Sequence, residues 1–458
     1  MNLSNQRHVA GHLIAILKAA GHDAYIVGGA VRDKLQGKLP EDVDVATSAT
    51  PEQVQYALGQ FFIDTKVVGE SFGVVLASGI EIATFRRDIH NGIGDKNCTV
   101  EYAKTIEEDL SRRDFTINAM ALDPTRNEII DPFCGWDDLN RKTLRFVGEP
   151  SDRILEDPNR MIRAARMMAK LGMKSGICPA TLKAIVEHRD LVRTHVAPER
   201  IRLEIMKAMK LERPSLFWWW LRAFGILEII LPELDDLWDW PGGKHHKETV
   251  WEHSMLVGDA ISPKFPLVRL AGYLHDIGKA PCWCPVDGNF LGHQVAGSKM
   301  AEDRLLELKF SLRETERVVT LIRMHMRSIF QSGPKAIRRL LVDLQNGHVS
   351  YCEFVRLVIA DHNGNLGQTP YSFREIKKII LALEAEQINF FAANRPSDLK
   401  INGNDVMKTL DLRPGPQVGM VLRKLFGYVD EDPERNERGH LMSVLSEWNY
   451  PYDYLEAA

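Results

Sequence analysis

The sequence predicts an α+β protein, a small α/β head followed by a long all-α body. Three observations predict it. Short apolar runs of strand length (AYIVGG, VDVAT, FGVVLA, IEIATF, FTINAMAL, EIIDPF) alternate with helical stretches over residues 1–141. Beyond Lys142 such runs nearly vanish, and RMIRAARMMAKLG, PATLKAIVEHRDLV, PERIRLEIMKAMK and EIKKIILALEAEQI carry apolar residues at helical spacing. Helix-boundary residues recur in the body: Asp157-Pro158 before one helix, Gly172 after it, Pro198 opening another. A chain of 458 residues exceeds one core. Composition shifts at 141–150, 236–246 and 394–404 divide it into four expected domains, 1–141, 142–235, 236–393 and 394–458.

Within the head, YIVGG reads as a strand that ends in Gly28 and Gly29, and AVRDKLQG as a helix closing at Gly37. Glycines at a strand-to-helix turn let backbone N–H groups approach a phosphate. VDVAT follows as a second strand. Strand side chains alternate, so Asp42 and Asp44 share a face. Two carboxylates on one face suit Mg²⁺, a hard cation that bridges to substrate phosphates, and in-line displacement at phosphorus uses such a pair. Either feature alone fits a surface turn or a solvated strand edge. Together, with Arg32 one turn into the helix, they read as a metal-dependent nucleotide site. The combination resembles the signature of the nucleotidyltransferase superfamily that includes DNA polymerase beta. That superfamily places a third acidic residue on a neighbouring strand, for which Glu81 in GIEIATFRR is the candidate.

Two further motifs narrow the resemblance. RRDFTINAMAL (Arg112 to Leu122) precedes IIDPFCGWDDL, and EDPNRMIRAAR (Glu156 to Arg166) opens the helical body. With GGAVRD and DVD, this ordered set resembles the class II CCA-adding enzymes and bacterial poly(A) polymerases over at least residues 20–210. INGNDVMKTLDLRPGPQVGMVLRKL (Ile401 to Leu425) is similar to their C-terminal part. In EDPNRMIRAAR, Asp157 caps a helix that Pro158 opens, and Arg160, Arg163 and Arg166 follow at one-turn intervals. A carboxylate accepts from an exocyclic amine, and a guanidinium donates to ring nitrogens or carbonyls. Cytosine and adenine share an amino donor beside a ring-nitrogen acceptor, whereas uracil and guanine place a carbonyl where the amine should be. The resemblance therefore implies that Asp157 and Arg160 select C and A without a template. It further implies that Gly29, Arg32 and Arg113 contact the nucleotide and that Arg163 and Arg166 reach ribose or triphosphate. PERIRLE (Pro198 to Glu204) resembles the family's next helical motif, a support for the nucleotide helix. The polar, glycine-bearing stretch Arg86 to Lys104 resembles a flexible loop linked to switching from C to A addition.

The body holds a third constellation. Residues 245–362 contain 8 of the 15 histidines, including His253 in WEHSMLV, His275-Asp276 in YLHDIGK, His293 and His325, with Asp361 in VIADHNG. A His, an adjacent His-Asp and a distant Asp on helical sequence resemble the HD phosphohydrolase superfamily. Imidazole and carboxylate ligands suit a divalent transition metal better than Mg²⁺ alone. On this resemblance His253, His275, Asp276 and Asp361 bind the metal, and His293 and His325 occupy places where some HD enzymes hold a second ion. Such modules resemble phosphatases and phosphodiesterases able to trim damaged RNA 3′ ends. A metal-binding structural relic is the alternative.

Composition bounds the partners. With 45% apolar and 26% charged residues the chain is ordinary for a globular protein. Six scattered cysteines, with Cys282-Trp-Cys284 too short for a zinc-ribbon half-site, read as free thiols in a reducing compartment. The N-terminus lacks a signal-peptide layout, and the greasiest segment, Leu216 to Leu234, is broken by Arg222 and Glu228. A cytoplasmic protein without membrane contact or obligatory protein partner is expected. The net charge of −4 hides a basic stretch: Arg141 to Arg213 holds 17 Lys/Arg against 9 Asp/Glu, a candidate phosphate-backbone surface. The tryptophans at 218–220 cannot all face one core, so core packing with one or two rings outside is expected. The reading that unites these features is CCA addition to tRNA from CTP and ATP. CC-only, A-only and poly(A)-adding enzymes share every motif quoted. An HD phosphohydrolase with a degenerate head and a non-catalytic RNA-binding scaffold are the readings from other classes.

Overall fold

The computed structural model describes residues 3–40, 42–68, 73–90, 92–94, 98–172, 176–242, 247–286, 288–327, 333–390, 396–431 and 433–447. Two compact units are formed, Met1–Asp236 with Glu307–Lys309, and Leu237–Leu306 with Phe310–Ala458.

The first unit opens with one mixed sheet. Its strands are β1 (Ala24–Val27), β2 (Asp44–Thr47), β3 (Thr65–Val68), β4 (Val74–Ala77), β5 (Ile80–Thr84), β8 (Ala121–Asp123) and β9 (Glu128–Ile130), ordered β3-β4-β5-β2-β1-β8-β9. The remaining strands, β6 (Arg86–His90) and β7 (Cys98–Tyr102), pair only with each other. The sequence reading treated Arg86 to Lys104 as a loop; the described part is a β-ribbon. Its alternation is of half-buried polar residues with exposed ones, which hydrophobic periodicity does not detect.

Register explains why glycines and aspartates act together. β1 and β2 run antiparallel with Val27 opposite Asp44, so the glycine turn after β1 and the acidic start of β2 meet at one sheet edge. β2 and β5 run parallel with Asp44 opposite Glu81, which brings the third carboxylate to the same edge. Behind this edge both sheet faces are covered. Leu13, Ile14, Leu17, Val54 and Leu58 pack on one side against Val45, Val75 and Ile82. Phe85, Ile106, Leu110 and Val147 cover the other around Val27 and Ala46. Burying such side chains contributes about 1.5–3 kcal/mol each and fixes the edge that carries the acids.

Helices follow. Asn159–Lys170 packs against Pro198–Ala208 and Ser215–Ala223. Trp218 and Trp220 are buried in this bundle while Trp219 keeps an exposed face, as three successive helical positions require. In the second unit Val250–Ala260, Pro266–Leu274, Leu312–Met324 and Tyr351–Gly364 pack together. Toward the C-terminus Leu399, Ile401, Val406, Val421, Leu425, Leu441 and Leu445 form a separate apolar cluster. Among the described residues no helix is long and apolar enough to cross a membrane.

Candidate active site and histidine cluster

The glycine turn, the acidic edge and the first helices of the body surround a cleft of ≈ 560 Å³. Eight arginines and Lys170 line it against four aspartates, so it is built for an anion. Asp44 is among the lining residues, and the chain around it alternates: Asp42 exposed, Val43 buried, Asp44 exposed, Val45 buried. The shared face predicted for the two aspartates is thus observed. The cleft walls desolvate the Asp44 carboxyl and raise its pKa. Glu81 and Asp42 push it further the same way, and Arg113 opposes them. Carboxylates crowded so that they disfavour each other's charge are a donor set that a hard divalent cation fits.

Gly28 carries φ +70°, and a Cβ there would lie 3.1 Å from Nη1 of Arg113. A side chain at this position would be strained and would meet the guanidinium that covers the turn. Arg113 and Arg112 are both held by buried Asp109 through their Nη2 groups, at 3.0 and 2.7 Å. Arg32, expected at the nucleotide, is almost wholly buried. It donates through Nε and Nη2 to Asp33 Oδ1, at 2.9 and 2.7 Å, and through Nη1 to Asn118 Oδ1 at 2.6 Å. Arg32 therefore holds the turn through protein partners. Asn118 Nδ2 in turn donates to Asp114 Oδ1 (3.1 Å), and Asp114 Oδ2 accepts from Arg163 Nη2 at 2.6 Å. Burial raises the Asp114 pKa, but Arg163, Asn118 and the Phe115 N–H outweigh it and bring it down to about 2.

The helix predicted to read the base is present, with different partnerships. Asp157 Oδ1 accepts from the Asn159 N–H (3.1 Å) and so caps the helix. The Arg160 backbone N–H donates to the Asp157 carbonyl (2.9 Å), but its guanidinium does not bond the Asp157 carboxylate. Arg160 Nη1 donates to Glu156 Oε2 (2.6 Å) and the Arg153 carbonyl (3.0 Å), and its Nη2 to the Arg112 carbonyl (2.9 Å). Asp157 is instead gripped by Arg200, Nη1 to Oδ1 at 2.9 Å and Nη2 to Oδ2 at 2.8 Å. Arg163 pairs with Asp114 and Arg166 with buried Glu204. Asp157, Arg160, Arg163, Arg166 and Arg200 all line the cleft. Sequence reasoning passed over Arg200 as a site residue, although PERIRLE marked its helix. The cue was a second arginine at a helix N-terminus facing an acidic cap, and only the fold reveals the facing.

In the second unit, His253 Nε2 lies 3.0 Å from Asp361 Oδ1, and His275 Nε2 lies 3.2 Å from Asp276 Oδ2 and 3.5 Å from Asp361 Oδ1. His293 Nε2 is 3.4 Å from Asp276 Oδ1 and 3.2 Å from His325 Nε2. Nδ1 of His275, His293 and His325 each donates to the carbonyl three residues earlier, at 2.8, 2.8 and 2.6 Å. Carbonyls only accept, so each Nδ1 carries a hydrogen and each Nε2 is turned into the cluster. His253 Nδ1 faces buried Glu248 at 3.5 Å, a partner absent from the sequence reading. Burial lowers His293, and burial together with His275 lowers His325 to about 4. His275 goes the other way: Asp276 and Asp361 overcome burial and raise it to about 10. Imidazoles and two carboxylates brought this close are a donor set that a divalent cation fits. The ligand atoms of His253, His275 and Asp361 lie within 4.8 Å of one another, as do those of His275, Asp276 and His325.

Comparison with known proteins places the chain in a family. The family profile "Poly A polymerase head domain" matches residues 24–145. "Probable RNA and SrmB- binding site of polymerase A" matches 176–237, and "HD domain" matches 245–346. A "Multifunctional CCA protein" of Paracidovorax citrulli is 34% identical over 380 residues, covering 79% of this chain and 88% of the relative. The chain belongs to the CCA-adding enzyme family. The CCA-adding enzyme of Levilactobacillus brevis is 29% identical across 97% of this chain and 99% of its own length. The crystal structure of the Bacillus stearothermophilus CCA-adding enzyme in complex with CTP superposes with a TM-score of 0.68 at 25% identity, covering 99% of this chain and 100% of that one. As a member of that family, the chain is a nucleotidyltransferase with an HD domain.

Proposed function

We propose that the chain completes tRNA 3′ ends, transferring CMP from CTP and then AMP from ATP to the terminal 3′-hydroxyl without a template. The observation that carries this reading is Asp44 lining an arginine-rich cleft beside the glycine turn, with Glu81 opposite it on the next strand and Asp42 close to it. Asp42 and Asp44 would hold Mg²⁺, which when bound neutralises the triphosphate and favours the ionised hydroxyl. Gly28 and Gly29 let the triphosphate approach the backbone, and Arg113, fixed by Asp109, lies above them. The RNA hydroxyl attacks the α-phosphorus and pyrophosphate leaves, so no side chain acts as nucleophile. The chain contributes position and charge. Asp157, oriented by Arg200, accepts from the amino group of C or A, and Arg160 stands one turn on in the same wall. A U or G would oppose its carbonyl to Asp157.

The basic stretch 141–213 would meet the tRNA backbone. Free thiols at all six cysteines agree with a cytoplasmic site of action. Single labelled nucleotides offered to three tRNA transcripts test the reading. CTP use on a transcript ending at the discriminator base, ATP use on one ending in CC, and silence on a full CCA end are expected. CTP alone or ATP alone would make it half of a split pair, and repeated ATP addition on all three a poly(A) polymerase.

The inward-facing imidazoles support a second reading for the HD domain, a transition-metal phosphohydrolase acting on RNA 3′-phosphate or cyclic phosphodiester ends. Mn²⁺- or Ni²⁺-dependent phosphate release that His275→Ala removes, with CTP incorporation retained, is the expected result. Release that persists in His275→Ala would refute it.

A further inference from the structure

We infer that the β6–β7 hairpin carries a separate transition-metal site of the zinc type, formed by Asp88, His90 and Cys98 on its cleft-facing side. The two strands are antiparallel with His90 directly opposite Cys98. Asp88 lies two residues before His90, so the pleat puts all three side chains on one face. The burial pattern agrees: Asp88, His90, Cys98 and Val100 are half-buried, while Arg87, Ile89, Thr99 and Glu101 point to solvent. That half-buried face lines the cleft.

One ligand atom from each of Asp88, His90 and Cys98 falls within 4.8 Å of the others. Ligands sharing a tetrahedral zinc sit roughly 3.5 Å apart, given bonds of about 2.0–2.3 Å. Side-chain rotation of about an ångström closes the difference. The second observation is His90 itself. Both its ring nitrogens are buried without a hydrogen-bond partner. Leaving a buried polar atom unsatisfied costs about 1–3 kcal/mol, and a coordinated cation removes that cost at one nitrogen. Asp88 is shared with Arg86 (3.3 Å to Oδ1) and Arg112 (3.6 Å to Oδ2), so single-oxygen coordination leaves one arginine contact in place.

The donor chemistry selects the ion. Thiolate with imidazole and one carboxylate favours Zn²⁺ over Mg²⁺ or Ca²⁺, which take oxygen ligands. Three protein ligands leave a fourth position directed at the cleft, where water or a phosphate oxygen completes the tetrahedron. An ion there ties the two strands together across the ribbon, at positions 88, 90 and 98.

Cobalt titration of the metal-stripped full-length protein tests this, because a cysteine-to-cobalt charge-transfer band reports thiolate coordination. The histidine cluster of the second unit contains no cysteine and cannot produce it. The expected result is a band saturating at one equivalent, displaced by Zn²⁺ and retained in His275→Ala. It disappears in Cys98→Ser, and cobalt affinity falls about tenfold or more in His90→Ala and Asp88→Asn. Circular dichroism shows that the variants remain folded. Absence of the band, its survival in Cys98→Ser, or unchanged affinity in His90→Ala overturns the proposal.

Discussion

In the first unit the polar centre is an open cleft walled by guanidinium groups, each of those traced above already bonded to a carboxylate or carbonyl of the protein. In the second it is a closed cluster whose imidazoles are tethered by Nδ1 and turn Nε2 toward one another and toward Asp276 and Asp361. The contrast separates two designs. A transient anionic ligand is met by charges that the protein keeps neutralised and in position, so the cleft holds its shape without a nucleotide. In the second unit imidazole and carboxylate donors are crowded together, a set that fits a divalent cation. Arginine cannot lose its proton and must be balanced by partners; histidine can, and burial lowers the pKa of His293 and His325.

The largest effect belongs to the acidic edge. Replacing Asp42 and Asp44 together by alanine should reduce nucleotide incorporation by roughly a thousandfold or more. Metal binding by the HD cluster should be unchanged, measured on one preparation by primer extension and calorimetric titration. Loss of both would break the separation drawn above. Asp114→Ala comes next. It removes the nearer partner of half-buried Arg163 and leaves only Glu204, at 3.9 Å, so stability should fall by about 2–3 kcal/mol in denaturant melts. A loss below about 0.5 kcal/mol would mean the cleft charges do not depend on internal balance.

Arg200→Ala should leave the fold intact and release Asp157. The kcat/KM preference for CTP and ATP over UTP and GTP should then drop by about tenfold to a hundredfold, with CTP turnover less affected. An unchanged preference would remove Arg200 from base selection. The smallest effect is a pH dependence. Asp114 titrates near 2 in the folded chain against an ordinary 3.8. Its contribution is complete above the unfolded value and is lost as pH falls through about 2, a total of about 2 kcal/mol. The difference in unfolding free energy between the native chain and Asp114→Asn should narrow as pH drops from 5 toward 2.

The mixed head and helical body were legible in the sequence because strand-length runs and 3.6-residue periodicity are local. The sheet edge was legible for a similar reason: alternation in DVD and the strand spacing leave little freedom in where Asp42 and Asp44 point. Partnerships were not legible. Arg200 meets Asp157 across 43 residues and Arg163 meets Asp114 across 49, and no pattern in either segment encodes the other. For Arg160 the spacing rightly put it one turn from Asp157, but Glu156 and two carbonyls are better placed to accept its hydrogens. The β6–β7 ribbon escaped because both its faces are polar. The histidine cluster was the easier case, since HD is contiguous, yet Glu248 and the three carbonyl tethers needed coordinates.

The contact between Asp114 and Arg163 also bears on synthesis. The chain leaves the ribosome N-terminus first, at about 5–20 residues per second, so Arg163 emerges roughly 2–10 s after Asp114. During that interval the sheet is available to fold while one carboxylate of its cleft wall lacks its cation. The nascent head therefore acquires a finished nucleotide cleft only when the first long helix of the body arrives. A chaperone or a pause that delays this helix would prolong an interval in which the wall is half built.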